Sequence, residues 1–576
     1  MRTELPTAPP QADTPRPLRA AMLIAHHFVV YNAAFRRLTE RAAQSFIDCR
    51  WLEASADAMA RIELYEQHVA YCVHAITPDL AEARTDIRTW DLIKKAYDQH
   101  IRRSPDSDLF RTFFNSVTRD LFSTVGVNAD VEFCTPSSTH GSGSVPMCIY
   151  PIGGALQGAI EAILSHLSFI TTPAVRSAAV QQITLSIGRH FHTRLQSAGP
   201  ECIEIIDAIF YRGQRASLVG RLVSDSTITP LVIEFSNSAR GIRVENVLLM
   251  RHEIGRFFGF TRSYFQVDLP VVGAAVTLLR SFMPHKATDE LYTVLGRAKQ
   301  GKTERYFTLR RHLSLSIDTF VHAPGQRGLV MMVFTLPSHD LVFKIIRDRF
   351  GPPKNTSRAE VMACYEWVFR HERADRLVDA QEFRQLRLPV SRFMPSLLEE
   401  LLTEGSETCV LDGQDLIIKS CYIERRLRPL DVFLREADPA ASEAAIIDYG
   451  NALRDLAANN IFPGDLLLKN FGVTKSGRVI FYDYDELCEV TDCHFRDPPS
   501  AQSDEEDLSA DPWYYVGPRD VFPAQWLPFL GMSDTLKEVF LQHHAEVLTA
   551  QWWRERQSAA AKISPPAAPA LATATL

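Results

Sequence analysis

The sequence predicts an α+β protein in two large parts: a mostly helical N-terminal half with a small β patch, then a two-lobed unit in which β hairpins precede helices. Three observations carry this. At 576 residues and 64.9 kDa the chain exceeds what one hydrophobic core serves. Apolar residues recur at three- and four-residue spacing through most of the first half. Near Ala323 the texture changes to short apolar strands joined by turns.

Taken in order, residues 1–17 are rich in Pro, Thr and Ala without the apolar core of a signal peptide, and are expected to be a disordered tail. Residues 18–315 form the predicted helical domain. Ala20–Tyr31 opens it as an amphipathic helix; Met59, Ile62, Leu64, Val69 and Val73 line a second, and Phe110, Phe113, Phe114, Val117 and Leu121 another. The polar run 136–144 is expected to be a mobile surface loop. Helices resume over Gly154–Ile170 and Ser177–Ser197, strands over Ser217–Val223, Thr229–Phe235 and Ile242–Leu249, and helices again from Glu253 to Leu313. Residues 316–557 form the second domain. Its strands are Gly328–Thr335 and Leu341–Ile346, followed by a helix from the capping pair Ser357 and Glu360 to Val378 and a hairpin turning at Asp412-Gly413. The Ala/Pro/Thr-rich stretch 558–576 is expected to be a second disordered tail.

Bulk properties narrow the function. Hydrophobic content of 46% and charged content of 23% are those of a soluble globular protein. A net charge of -7 leaves no basic excess to displace counterions from a nucleic acid. No uninterrupted apolar run is long enough to span a bilayer. The ten cysteines include no Cys-x-x-Cys pair, and the spacing of Cys488 and Cys493-His494 fits no zinc pattern. Buried free thiols in a reducing cytoplasm are the expectation.

The most informative stretch is Phe462-Pro-Gly-Asp465-Leu-Leu-Leu-Lys469-Asn470, followed by Phe481-Tyr482-Asp483-Tyr484-Asp485. Asp438-Pro439 caps a helix before it, and Ser476-Gly477 turns a hairpin within it. Helix, loop with Asp and Asn, hairpin and a further Asp follow the order of a protein-kinase large lobe. On that pattern Asp465 addresses the attacking hydroxyl, while Asn470 and Asp483 supply oxygen ligands suited to Mg²⁺. Asp485 points the same way as Asp483 along a strand, and two such carboxylates need a cation or a proton between them.

Upstream lie the parts of a small lobe. Ala323, Pro324, Gly325, Gln326, Arg327, Gly328 and Leu329 occupy the place of a nucleotide-covering turn, where glycine lets backbone N–H groups approach phosphate. Lys344 stands mid-strand among Val342, Phe343, Ile345 and Ile346, in the position of a lysine that contacts ATP phosphates. Its carboxylate partner is expected from the following helix, with Glu360, Glu366 and Glu372 all candidates. The second part is therefore a bilobal protein-kinase-like domain, but an atypical one. Pro463-Gly464 replaces His-Arg, Tyr482-Asp483-Tyr484-Asp485 replaces Asp-Phe-Gly, and no Ala-Pro-Glu segment follows.

Long phrases in one order resemble the bacterial isocitrate dehydrogenase kinase/phosphatase family. They include 323–337, 342–350, 379–383, 422–426, 460–465, 469–474 and 481–486, with 210–212, 218–222 and 259–265 upstream. The resemblance implies a helical regulatory domain ahead of the kinase domain. It implies a bifunctional enzyme that phosphorylates isocitrate dehydrogenase on serine, removes that phosphate, and so divides flux between the citric acid cycle and the glyoxylate bypass. It implies ATP or ADP held by 323–329 with Lys344, an active-site Asp at Asp379, and AMP as an allosteric effector. Asp379 and Asp485 exceed what a plain kinase needs and are assigned to the phosphatase reaction. Two other classes stand beside this one. Gly-Asp-x-x-x-x-Asn also resembles aminoglycoside phosphotransferases, which are small-molecule kinases, and a catalytically dead kinase fold could serve as a regulatory scaffold.

Overall fold

The computed structural model describes residues 14–137, 143–192, 199–224, 227–238, 240–259, 261–262, 264–352, 354, 356–370, 374–499 and 514–561. The chain divides into two compact units, the first ending at Ile317 and also counting Gln385–Arg387, the second beginning at Asp318.

The first unit opens with the helices Arg16–Ile47, Trp51–Leu80, Ile87–Ile101 and Ser107–Phe122. Their apolar faces meet around Phe28, Tyr31, Trp90, Tyr97, Phe113 and Phe114, all buried. A six-stranded antiparallel sheet follows in the order Met147–Pro151, Cys202–Ile206, Arg215–Ser224, Thr227–Ser238, Gly241–Leu248, with Phe210–Arg212 paired to Arg215–Ser224. The helices Leu156–Ser165 and Pro173–His192 cover it, burying Ile160, Ile163, Ile183 and Ile187 against Leu218, Ile233 and Phe235. Four more helices, Arg251–Phe257, Val272–Phe282, Thr288–Val294 and Ala298–Leu315, complete the unit.

In the second unit the small lobe is a six-stranded sheet ordered Gln381–Pro389, Asp415–Arg425, Leu341–Ile346, Met331–Thr335, Val321–His322, with Cys409–Asp412 hairpinned onto Asp415–Arg425. The large lobe is built on the helix Pro439–Ala458, whose Asp438 side chain accepts a hydrogen bond from Ala441 N–H as N-cap. Beneath it, Phe471–Val473 and Val479–Phe481 form the predicted hairpin, and Ala374–Val378 runs parallel to Val479–Phe481 through Leu377 opposite Phe481. Buried Arg376 locks this layer. It makes a two-pronged ion pair with Asp448, a second with Asp455 at 2.7 Å, and a hydrogen bond to the Val479 carbonyl.

Several boundaries differ from the sequence reading. The small-lobe helix is Arg358–Arg370 and does not reach Val378, because 374–378 is a strand of the large-lobe sheet. The strand predicted over Gly328–Thr335 starts at Met331. The N-terminal helix begins at Arg16, with Pro17 in the first turn where its missing N–H is not needed. Residues 1–13 of the expected tail lie outside the described residues. At the other end the helix Ala550–Ala561 runs past 558, carried by three good helix formers at 559–561; 562–576 lie outside the described residues. Positions 138–142 of the expected loop do too, but Ser137 beside them is buried, its N–H bonded to Asp108 and its hydroxyl to Ser107. Strands 147–151 and 202–206 escaped the sequence reading.

Candidate active site

The cleft of the second unit is lined by the covering loop from Ala323 to Leu329, Lys344, Lys354, Glu424, Asp465, Lys469, Asn470, Asp483 and Asp485. Every site residue predicted from the sequence lines it except Asp379.

Lys344 lies on an entirely buried strand and is itself 5% exposed. Its Nζ meets Glu424 Oε2 at 2.8 Å and donates to the Tyr482 carbonyl at 2.7 Å. The second bond ties it to the residue immediately before Asp483. Glu424, not a helix glutamate, is therefore the lysine's partner. Register explains this: Lys344 stands opposite Tyr422 and Glu424 opposite Val342, so Glu424 is the diagonal neighbour on the same face. Glu360 is spent on capping the Ser357 N–H, Glu366 is exposed, and Glu372 lies outside the described residues. Burial pushes the Glu424 carboxyl above its ordinary value and the Lys344 ammonium holds it back.

The loop 463–470 is shaped from inside. Gly464 has φ +79°, and a Cβ there would stand 2.4 Å from the Glu486 carbonyl oxygen, so no other residue fits. Asp465 Oδ1 accepts the Leu467 N–H at 2.9 Å, fixing the carboxylate. Asn470 is buried and donates its side-chain N–H to the Asp465 carbonyl at 3.3 Å, leaving its side-chain oxygen for a ligand. Tyr449 O–H holds the Leu466 carbonyl at 2.7 Å.

The segment 482–485 alternates. Tyr482 O–H bonds the Lys469 carbonyl, and buried Tyr484 donates to the Val378 carbonyl at 2.7 Å. Asp483 and Asp485 line the cleft between them. Burial raises the Asp483 carboxyl, with Lys344 and Lys354 opposing. Burial and then the charge of Asp483 hold Asp485 well above the carboxylate range. Asp485 Oδ1 is buried without a hydrogen bond among the described residues. Two adjacent carboxylates that resist simultaneous ionisation, one with an unsatisfied oxygen, and an amide oxygen beside them fit a hard cation. No group of three or more His, Cys, Asp and Glu forms a self-sufficient cage among the described residues. Mg²⁺ held partly by phosphates and water needs none.

Sequence reasoning missed two further cationic features. Arg347 pairs with Glu400 at 2.6 Å and with Glu404, and its Nε donates to the Gly328 carbonyl at 3.2 Å, anchoring the covering loop. Lys354 reaches Glu486 Oε1 at 2.6 Å. Asp379 is buried at the crossover where the chain leaves the large-lobe strand Ala374–Val378 for the small-lobe strand Gln381–Pro389. It accepts from Gln381 at 3.3 Å, and its charge adds to the upward push on Glu424.

Comparison with known proteins accounts for residues 21–565. Residues 21–317 match the family model for the isocitrate dehydrogenase kinase/phosphatase (AceK) regulatory domain, and 318–565 the model for its kinase domain. A curated isocitrate dehydrogenase kinase/phosphatase from Xanthomonas axonopodis pv. citri (strain 306) is 43% identical over 96% of both chains. One of the same name from Anaeromyxobacter sp. (strain Fw109-5) is 42% identical over 93% of this chain and 94% of its own. The helical half, which a small-molecule kinase does not need, is thus matched as a regulatory domain, and the aminoglycoside-type alternative is set aside. Among the described residues no helix is long and apolar enough to cross a membrane.

Proposed function

The chain belongs to the isocitrate dehydrogenase kinase/phosphatase family, and from that premise and the cleft we propose that it transfers the γ-phosphoryl group of ATP to a serine of isocitrate dehydrogenase and removes it again. The observation that carries this reading is the meeting of Lys344, Asp465, Asn470, Asp483 and Asp485 in one cleft beneath the 323–329 loop.

In the transfer direction the covering loop offers backbone N–H groups, and Lys344, already oriented by Glu424, its charge, to the nucleotide phosphates. Asp465 orients the serine hydroxyl and accepts its proton as the oxygen attacks. Asn470 and Asp483 hold Mg²⁺, which when bound neutralises phosphate charge. In the release direction a carboxylate must position water in place of serine. Asp485, inside the cleft, takes that part directly, and Asp379, buried at the lobe crossover and not lining the cleft, contributes through its charge. AMP acts at a separate site as the effector that shifts the balance of the two activities, and the enzyme works in the cytoplasm on isocitrate dehydrogenase as its protein substrate.

The test is Asp483→Asn assayed with labelled ATP and isocitrate dehydrogenase. Electrostatic contacts at a reacting phosphoryl group carry on the order of 10² or more in rate, so transfer should fall at least that far while circular dichroism is unchanged. Near-normal turnover would remove Asp483 from the cation site and with it the proposed mechanism.

A further inference from the structure

We propose that Cys488 and Cys493 form a reversible dithiol–disulfide site beneath the catalytic loop, through which hydroperoxides lower both activities of the cleft. The inference rests on the proposed function only for its activity readout.

The two sulfurs lie 3.6 Å apart. A disulfide needs about 2.05 Å, so closing the bond moves the sulfurs together by roughly 1.5 Å. Cys488 is half-buried and Cys493 buried. The Cys493 sulfur also lies 3.5 Å from the Glu489 carbonyl within its own turn. Geometry and reactivity agree. The Cys493 hydrogen bond and the nearby Arg519 guanidinium, against the effect of burial, hold the Cys488 thiol below its ordinary value, while Cys493 is pushed up. Cys488 is the sulfur disposed to attack, and Cys493 is the thiol within reach of it.

The location gives the bond a consequence. Cys488 lies on the short strand Cys488–Glu489, paired antiparallel with Ile461–Phe462, with Phe462 opposite Cys488. Phe462 is three residues before Asp465, and Cys488 three after Asp485. The backbone around Cys493 is held from the other side, where Gln557 donates to the Val490 and Cys493 carbonyls at 2.9 and 2.6 Å. With Cys493 pinned, closure draws Cys488 and its strand, and so displaces the segments bearing both carboxylates.

The chemistry balances. The Cys488 thiolate attacks a peroxide oxygen, the O–O bond breaks, and hydroxide leaves with a proton as water, giving a sulfenic acid. Cys493 then attacks that sulfur; the S–S bond forms, the S–O bond breaks, and hydroxide takes the Cys493 proton as a second water. Two thiols lose two electrons and one peroxide gains them.

Trypsin leaves both cysteines in one peptide, Val479–Arg496. The reduced full-length enzyme is treated with hydrogen peroxide, and this peptide is weighed without reduction while kinase and phosphatase rates are followed. The expected result is loss of two hydrogens from the peptide and a roughly tenfold or greater fall in both rates, since misplacement of about 1 Å costs up to 10². Dithiothreitol should restore mass and rates. Cys493→Ser should abolish the disulfide and its reversible inhibition, whereas Cys364→Ser, which removes the thiol that contacts the Leu487 carbonyl at 3.6 Å, should preserve both. A peptide that stays at the dithiol mass, a bridge between Cys364 and Cys488, or equal reversible inhibition in Cys493→Ser would each overturn the proposal.

Discussion

Replacing Glu424 with Ala isolates the charge pair at the back of the cleft. Lys344 is 5% exposed and its ammonium has two close partners, the Glu424 carboxylate at 2.8 Å and the Tyr482 carbonyl at 2.7 Å. The substitution leaves a buried cation bonded only to a neutral carbonyl. Removing one partner of a buried pair costs about 3–5 kcal/mol. The charge of Asp483, which acts on Lys344 from the same cleft, keeps the loss near the lower end, about 3 kcal/mol. For a unit of this size that is a fall of roughly 6–12 °C in unfolding temperature. Lys344→Met should cost less, because the stranded Glu424 carboxyl already has a raised pKa and takes up a proton instead of remaining a buried anion. The double variant Lys344→Met/Glu424→Leu should recover most of the loss. Calorimetry of the nucleotide-free protein reads all three, and ATP titration should show weakened binding in each. If Glu424→Ala melted within about 1 °C of the parent, or Lys344→Met proved the more damaging single change, the lysine would not depend on this carboxylate and the argument would fail.

Three further outcomes follow. Asp485 has a native pKa raised above its unfolded value, so as pH rises the unfolded chain releases its proton first and stability falls through that window. Asp485→Asn should therefore raise the unfolding temperature of the cation-free enzyme at mildly alkaline pH, with the gain vanishing in acid below the ordinary carboxylate range; a gain independent of pH would contradict this. Asp379→Ala and Asp485→Ala should impair phosphate release more than phosphate transfer, with Asp465→Ala the reverse, assayed in both directions on the same preparations; equal slowing of both reactions would end the division of labour. Gly464→Ala forces a side chain into a left-handed conformation costing about 1–3 kcal/mol and against the Glu486 carbonyl. It should lower the urea midpoint and nearly abolish transfer, and a variant like the parent in both would mean the loop is not held as described.

Much of the site was legible because local chemistry placed it. Asp438-Pro439 capped the helix, Ser476-Gly477 turned the hairpin, and the five-residue interval from Asp465 to Asn470 needed only one loop to bring both residues to the cleft. What escaped reading depends on pairings distant in sequence. Lys344 and Glu424 are 80 positions apart, and only the strand register puts them on one face. Strands 147–151 and 202–206 pair with each other across two intervening helices, so no turn signal joins them. The predicted helix overshoots Arg370 because positions 371–378 carry four charged and three apolar residues with no turn signal among them, and the strand character of 374–378 comes from lying parallel to Val479–Phe481. Asp379 was legible as a carboxylate and illegible as a crossover, since that role exists only once the strands on either side are assigned to different sheets.

The contact between Gly464 and the Glu486 carbonyl bears on how such a chain can be rebuilt. Two departures from ordinary protein kinases stand apart in sequence: Pro-Gly before the Asp, and Asp-Tyr-Asp-Glu where Asp-Phe-Gly would be. In space they are one. The backbone at 486 occupies the volume that a side chain at 464 would fill, so the longer acidic segment can be seated only over a residue without a Cβ. A chimera that imports His-Arg at 463–464 and keeps 483–486 would collide with itself, and the reciprocal graft would leave a hole beneath the loop. The two tracts form a single heritable module, to be exchanged together or not at all.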